Sequence, residues 1–137
     1  MRKLLLALSV AVFPVFGYAQ SVYSFWAIQH APAAAAQATI SQAADAAGRH
    51  VAKSLTVCIS AAATAQTPLQ FTLRDGATGA GTVLWTAQLS SVANSSNCVM
   101  ANVDIIGTKN TAMTLEAAGV TVAGAFATVS LNGYTTY

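Results

Sequence analysis

The sequence predicts a single all-β domain, an antiparallel β-sandwich of jelly-roll or immunoglobulin-like type with about eight strands. Three observations carry this. Apolar and polar residues alternate with a period of two through the middle of the chain. Gly, Asn, Ser and Pro clusters interrupt that alternation at regular intervals. No long helical pattern lies between the strand-like segments, so a parallel βαβ sheet is disfavoured. The 137 residues suit one domain.

Residues 1–19, MRKLLLALSVAVFPVFGYA, read as a secretory signal peptide. Arg2 and Lys3 open it, an apolar run follows, and Gly17 and Ala19 give a small-x-small cleavage pattern. The apolar run is short for a bilayer span, which needs about 20 residues. The domain then runs over 20–137, and any membrane association is through the leader alone. Beyond the leader, Arg49, Lys53, Arg74 and Lys109 balance Asp45, Asp75, Asp104 and Glu116. The formal +2 therefore belongs to the leader, and a charge of zero supports no nucleic-acid partner.

The strands follow in order. QSVYSFWAIQ is rich in strand formers and ends at Ala31-Pro32. In the Ala-rich stretch 33–47, QATISQA is read as a short strand, with a helical turn as the alternative. In KSLTVCIS, Leu55, Val57 and Ile59 share one face. AAATAQTP is a loop, and LQFTLR then alternates Leu69, Phe71 and Leu73 against polar partners. DGATGAG is a turn, with Gly supplying positive φ. TVLWTAQL puts Val83, Trp85, Ala87 and Leu89 on one face. SSVANSSN is a polar loop. CVMANVDII points Val99, Val103 and Ile105 inward. After the turn GTKN, TAMTLEA sets Met113 and Leu115 inward and Thr114 and Glu116 outward. AAG turns again, and VTVAGAFATVSLNGY supplies one or two final strands.

Two cysteines in an exported chain predict one disulfide, Cys58–Cys98. Both fall on the non-core face of their strands. The bridge therefore requires those strands to be neighbours, or a bulge to re-aim one of them. Such a bridge stabilises by roughly 4 kcal/mol in the chain-entropy picture.

Catalytic sets are missing. There is no GxSxG elbow, no DxDxDG calcium loop and no glycine-rich phosphate loop followed by Lys-Ser/Thr. No metal site or cofactor is expected, and the protein reads as a non-enzyme. His30 and His50 read as loop residues beside strands, His50 at an exposed edge. Asp104 and Glu116 are the one carboxylate pair on plausibly adjacent strands. Arg74-Asp75-Gly76 is the most charged spot, either a turn or a subunit contact through Arg74 and Asp75. Trp26, Tyr134 and Tyr137 are candidate binding residues for a carbohydrate or another polar surface ligand. Trp85 alternates with core residues and reads as buried. The surface left over is Thr, Ser, Asn, Gln and Ala, with few charges to guard sheet edges. That favours a homo-oligomer or a larger surface assembly, secreted, periplasmic or on the cell surface.

The run AGRHVAKSLTVCIS, then TAQTPLQFTLRDGATGAGTVLW, NVDIIGTKNTAMTLE, AAGV and VSLNGY resembles small uncharacterised β-sandwich proteins from phage structural gene clusters. The resemblance spans about residues 36–134 and is most specific from Thr67 to Trp85. It implies a structural module without catalysis, with the virion as an alternative location. An export leader departs from that pattern.

Overall fold

The computed structural model describes residues 22–120 and 123–137. The leader 1–19 lies outside the described residues. Among the described residues, eight strands follow one another: β1 (Tyr23–His30), β2 (Thr39–Gln42), β3 (Arg49–Ser60), β4 (Gln66–Asp75), β5 (Thr82–Ser91), β6 (Ser96–Ile106), β7 (Met113–Ala117) and β8 (Phe126–Thr136).

Their pairing has a simple rule. β1 pairs with β8, β2 with β7, β3 with β6 and β4 with β5, all antiparallel. The chain is one long two-stranded ribbon, bent back on itself at residues 76–81. Rolling that ribbon adds the pairs β3–β8 and β4–β7. Two four-stranded sheets result, sheet A in the order β1-β8-β3-β6 and sheet B in the order β2-β7-β4-β5. This is the jelly roll, and it decides between the two sandwich types left open by the sequence.

The tip of the ribbon is the glycine-rich turn. Gly81 has φ +84°, and a Cβ there would lie 2.1 Å from the Asp75 carbonyl oxygen. Only glycine fits both constraints. The turn is longer than a two-residue hairpin, and just below it the β4–β5 register shifts between Leu73 and Arg74.

The core lies between the sheets. Leu55, Val57 and Ile59 meet Leu69, Phe71 and Leu73, with Met113 and Leu115 from β7 and Val129 and Leu131 from β8. These are the residues that the period of two places inward. TISQ forms β2, as the strand reading of the Ala-rich stretch expects. The last segment is a single strand, β8, running unbroken through Asn132-Gly133.

Several expectations need correction. β4 starts at Gln66, inside the expected loop, and carries Pro68 where its pairing with β5 is irregular. Val83, placed inward by alternation, is exposed, because the bulge beside Arg74 re-aims it. β7 is buried on both faces, including Thr114 and Glu116. The ribbon tip folds over its outer side, where Gly76 N–H donates to the Ala112 carbonyl and the Thr114 hydroxyl to the Gly76 carbonyl. His50 is 1% exposed rather than at an open edge. β3 begins one residue before it and runs between β8 and β6, so His50 lies in the sheet interior. Asp104 and Glu116 are not on adjacent strands. β6 belongs to sheet A and β7 to sheet B.

Candidate functional site

The ionic groups are largely spent inside the chain. Arg74 Nε donates to Glu116 Oε1, and the Gly79 N–H donates to Glu116 Oε2 at 2.8 Å. The carboxylate thus clamps the ribbon tip onto β7. Arg74 faces its own chain in this arrangement. Asp75 Oδ2 accepts the Thr108 N–H at 2.9 Å, bracing the 107–110 turn, while its Oδ1 is buried without a partner. Asp45 accepts from the Ala47 and Gly48 N–H groups and from the Tyr137 hydroxyl. The Ala47 N–H bond, the largest influence, holds the Asp45 carboxyl below the usual carboxylate range. Desolvation, with the Asp45 charge behind it, pushes the Tyr137 phenol up.

The histidines are hydrogen-bonded inside the fold. His50 Nε2 lies 2.8 Å from the Ala43 carbonyl oxygen, which can only accept, so the ring proton sits on Nε2. Nδ1 then accepts from the Thr135 hydroxyl at 2.9 Å. His30 Nδ1 accepts the Thr39 N–H, tying β1 to β2. Among the described residues, no group of three or more His, Cys, Asp or Glu converges on a point.

The outer face of sheet A is different. Register places Phe25, Tyr134, Val51 and Ile106 side by side across all four strands. Phe25 is 79% exposed and Ile106 58% exposed. Tyr134 packs edge-on against Tyr23, with centroids 5.1 Å apart, and against Phe25 at 5.8 Å. In the neighbouring row, Ala27 on β1 is followed by the polar Asn132, Ser54 and Asn102. Asn132 Nδ2 donates to Ser54 Oγ. A register shift between Ala52 and Ser54 lifts Lys53 out beside this row. Its ammonium pairs with Asp104, and that bond is the main reason its pKa is raised. Two adjoining hollows result. One, of about 530 Å³, is lined by Phe25, Trp26, Ala27, Lys53, Asn132 and Gly133. The other, of about 410 Å³, continues past Lys53 to Ser54, Asn102 and Asp104.

The structure therefore brings Tyr134 and Trp26 to one region and puts Tyr137 elsewhere, against Asp45 at the β2–β3 loop. Trp26 is half-buried and packs inward, its ring edge-on to His50 at 6.1 Å. A Cβ on Gly133 would meet the Trp26 ring at 2.6 Å and the Val51 carbonyl oxygen at 2.1 Å. Glycine there is what lets the indole lie across β8. Sequence reasoning left Phe25 and Tyr23, the outward aromatics of β1, out of the candidate binding residues. Both faces of YSFWAIQH are apolar, so alternation alone does not say which side is the core. The order of residues across the sheet is also invisible before the strand order is known.

Cys58 and Cys98 sit opposite one another in the β3–β6 pair and are joined by a disulfide, with Cα atoms 4.1 Å apart. The separation suits directly facing residues of an antiparallel pair. The bridge lies on the outer face of sheet A, as the alternation places it.

No family model matches the chain. No curated protein matches it. Among solved structures, it is similar to a protein described under the words "Bacillus endospore appendages form a novel family of disulfide-linked pili". The two share 18% identity at a TM-score of 0.40, over 85% of this chain and 88% of that one.

Proposed function

We propose that this protein is a non-catalytic structural subunit that assembles with copies of itself at an extracellular or cell-surface location. One observation carries the reading. The long edge strands β1, β5 and β6 hold a single charged side chain, Asp104, and no proline. Soluble sandwiches guard such edges with Lys, Pro or bulges, because unpaired N–H and C=O groups template further strands. Here Lys and Pro are absent from all three, β1 pairs without irregularity, and register shifts beside β5 and β6 are the guard that remains; the net charge beyond the leader is zero, which removes long-range repulsion.

The strand directions favour one mode. Three antiparallel pairings separate β1 from β6 within sheet A. The two edges therefore run antiparallel to each other. The β1 edge of one copy can add to the β6 edge of the next and keep the alternation unbroken. That contact is head-to-tail, so it extends into an open filament unless the rotation between copies closes it into a ring. The disulfide suits an oxidising compartment, and cleavage after Ala19 would leave β1 close to the new N-terminus.

Light scattering on the secreted protein tests this. Species larger than one chain are expected at micromolar concentration. Gln29→Lys on β1 together with Met100→Lys on β6 should shift them to the single-chain mass, with the unfolding midpoint nearly unchanged, because both positions are exposed. A wild-type chain that stays single at high concentration refutes the assembly. Intact mass adds the compartment: a start at Gln20 supports export, and a retained Met1 favours a virion part.

A further inference from the structure

We infer that the outer face of sheet A carries a binding groove for a neutral, extended oligosaccharide, running across the strands from Phe25 to the Lys53–Asp104 pair. This goes beyond assembly and does not depend on it. Extension through β1 and β6 would leave this face open and repeat the groove along the array.

The chemistry of the groove selects the ligand. At one end Phe25 is 79% exposed and held by Tyr134, which is itself held by Tyr23. A fixed ring of this kind stacks on the apolar face of a pyranose. Along the floor, Asn132 and Asn102 offer amide donors and acceptors, with Ser54 between them. Asn132 is oriented by its bond to Ser54 Oγ, so its carbonyl oxygen remains to accept a sugar hydroxyl. At the far end, Lys53 and Asp104 neutralise each other. They supply hydroxyl partners of both kinds without a net charge, so a charged ligand gains nothing there.

Size and shape point the same way. Four strands at about 4.8 Å spacing give a track of ~14 Å, which suits several sugar rings rather than one. The two hollows, about 530 and 410 Å³, are both open to solvent and lie on either side of Lys53, which lines each of them.

Saturation-transfer NMR reads binding from the ligand, so it works on the full chain in any state of assembly. Cellotetraose and chitotetraose are the probes, with glucose and N-acetylglucosamine beside them. At least one tetrasaccharide is expected to bind at millimolar affinity or better, and more tightly than its monosaccharide. Phe25→Ala and Asn132→Ala should each weaken it about tenfold, a loss of ~1.4 kcal/mol. Val92→Ala, exposed at the β5–β6 turn, should change nothing. Because Phe25 is exposed, its loss should leave the unfolding midpoint in place. No transfer from either tetrasaccharide overturns the groove, as does equal binding by Phe25→Ala. If Phe25→Ala instead breaks up assemblies and no sugar binds, the face is a contact between copies. Sugar binding by a protein that remains a single chain would keep the groove and refute the assembly.

Discussion

Reduction of the protein, or paired Cys58→Ser and Cys98→Ser substitution, is expected to cost about 4 kcal/mol of folding stability. The bridge closes a loop of 40 positions in sequence. Without it the unfolded chain regains that loop's conformational freedom. For a domain of this size the loss lowers the unfolding midpoint by roughly 15 °C. Thermal unfolding followed by far-ultraviolet circular dichroism, with and without reductant, measures it. The bond also joins edge strand β6 to central strand β3, so the reduced chain should show its fastest hydrogen exchange in β6. A shift of under ~3 °C would mean that the reduced chain is already constrained by residual structure.

Glu116→Ala should destabilise by roughly 3 kcal/mol. The side chain is nearly buried, and its two oxygens serve different partners, the Arg74 guanidinium and the Gly79 N–H. Removing it strands a cation that is itself largely covered and leaves a backbone donor unpaired. Glu116→Gln should cost less, since its amide can still accept one of these bonds. Paired Arg74→Met and Glu116→Leu should recover much of the loss, because no charge is then left buried. Urea unfolding of the four proteins separates these cases. If the alanine variant matches the wild type, the clamp on the ribbon tip adds nothing to stability.

The legible part of this fold was local. KSLTVCIS and LQFTLR gave their inner faces by alternation, because each has one polar and one apolar side. The cysteines were legible for the same reason: both stand on the polar side, and facing strands let them meet. β7 was not legible. Thr114 and Glu116 look like solvent-facing residues, and only the ribbon tip, distant in sequence, covers them. His50 was misplaced because Arg49 and the loop before it suggested an edge, while its shielding comes from Thr135, 85 positions away. The candidate groove was legible only in fragments. Tyr134 and Trp26 stood out by type, but Asn132, Ser54 and Asn102 become one row only when β8, β3 and β6 lie together.

The ribbon pairing also dictates an order of folding. The central pair, β4 with β5, can form once the chain has passed Ser91, and β3 with β6 needs the chain to reach Ile106. β1 must wait for β8, which ends one residue before the last. A chain delivered from its N-terminus therefore holds its first strand unpaired until β8 has followed. Long-range closure of this kind is slow. In a chain that is exported, such a delay would keep it open during passage across the membrane, and it brings the two cysteines together well before the ends of the ribbon can meet.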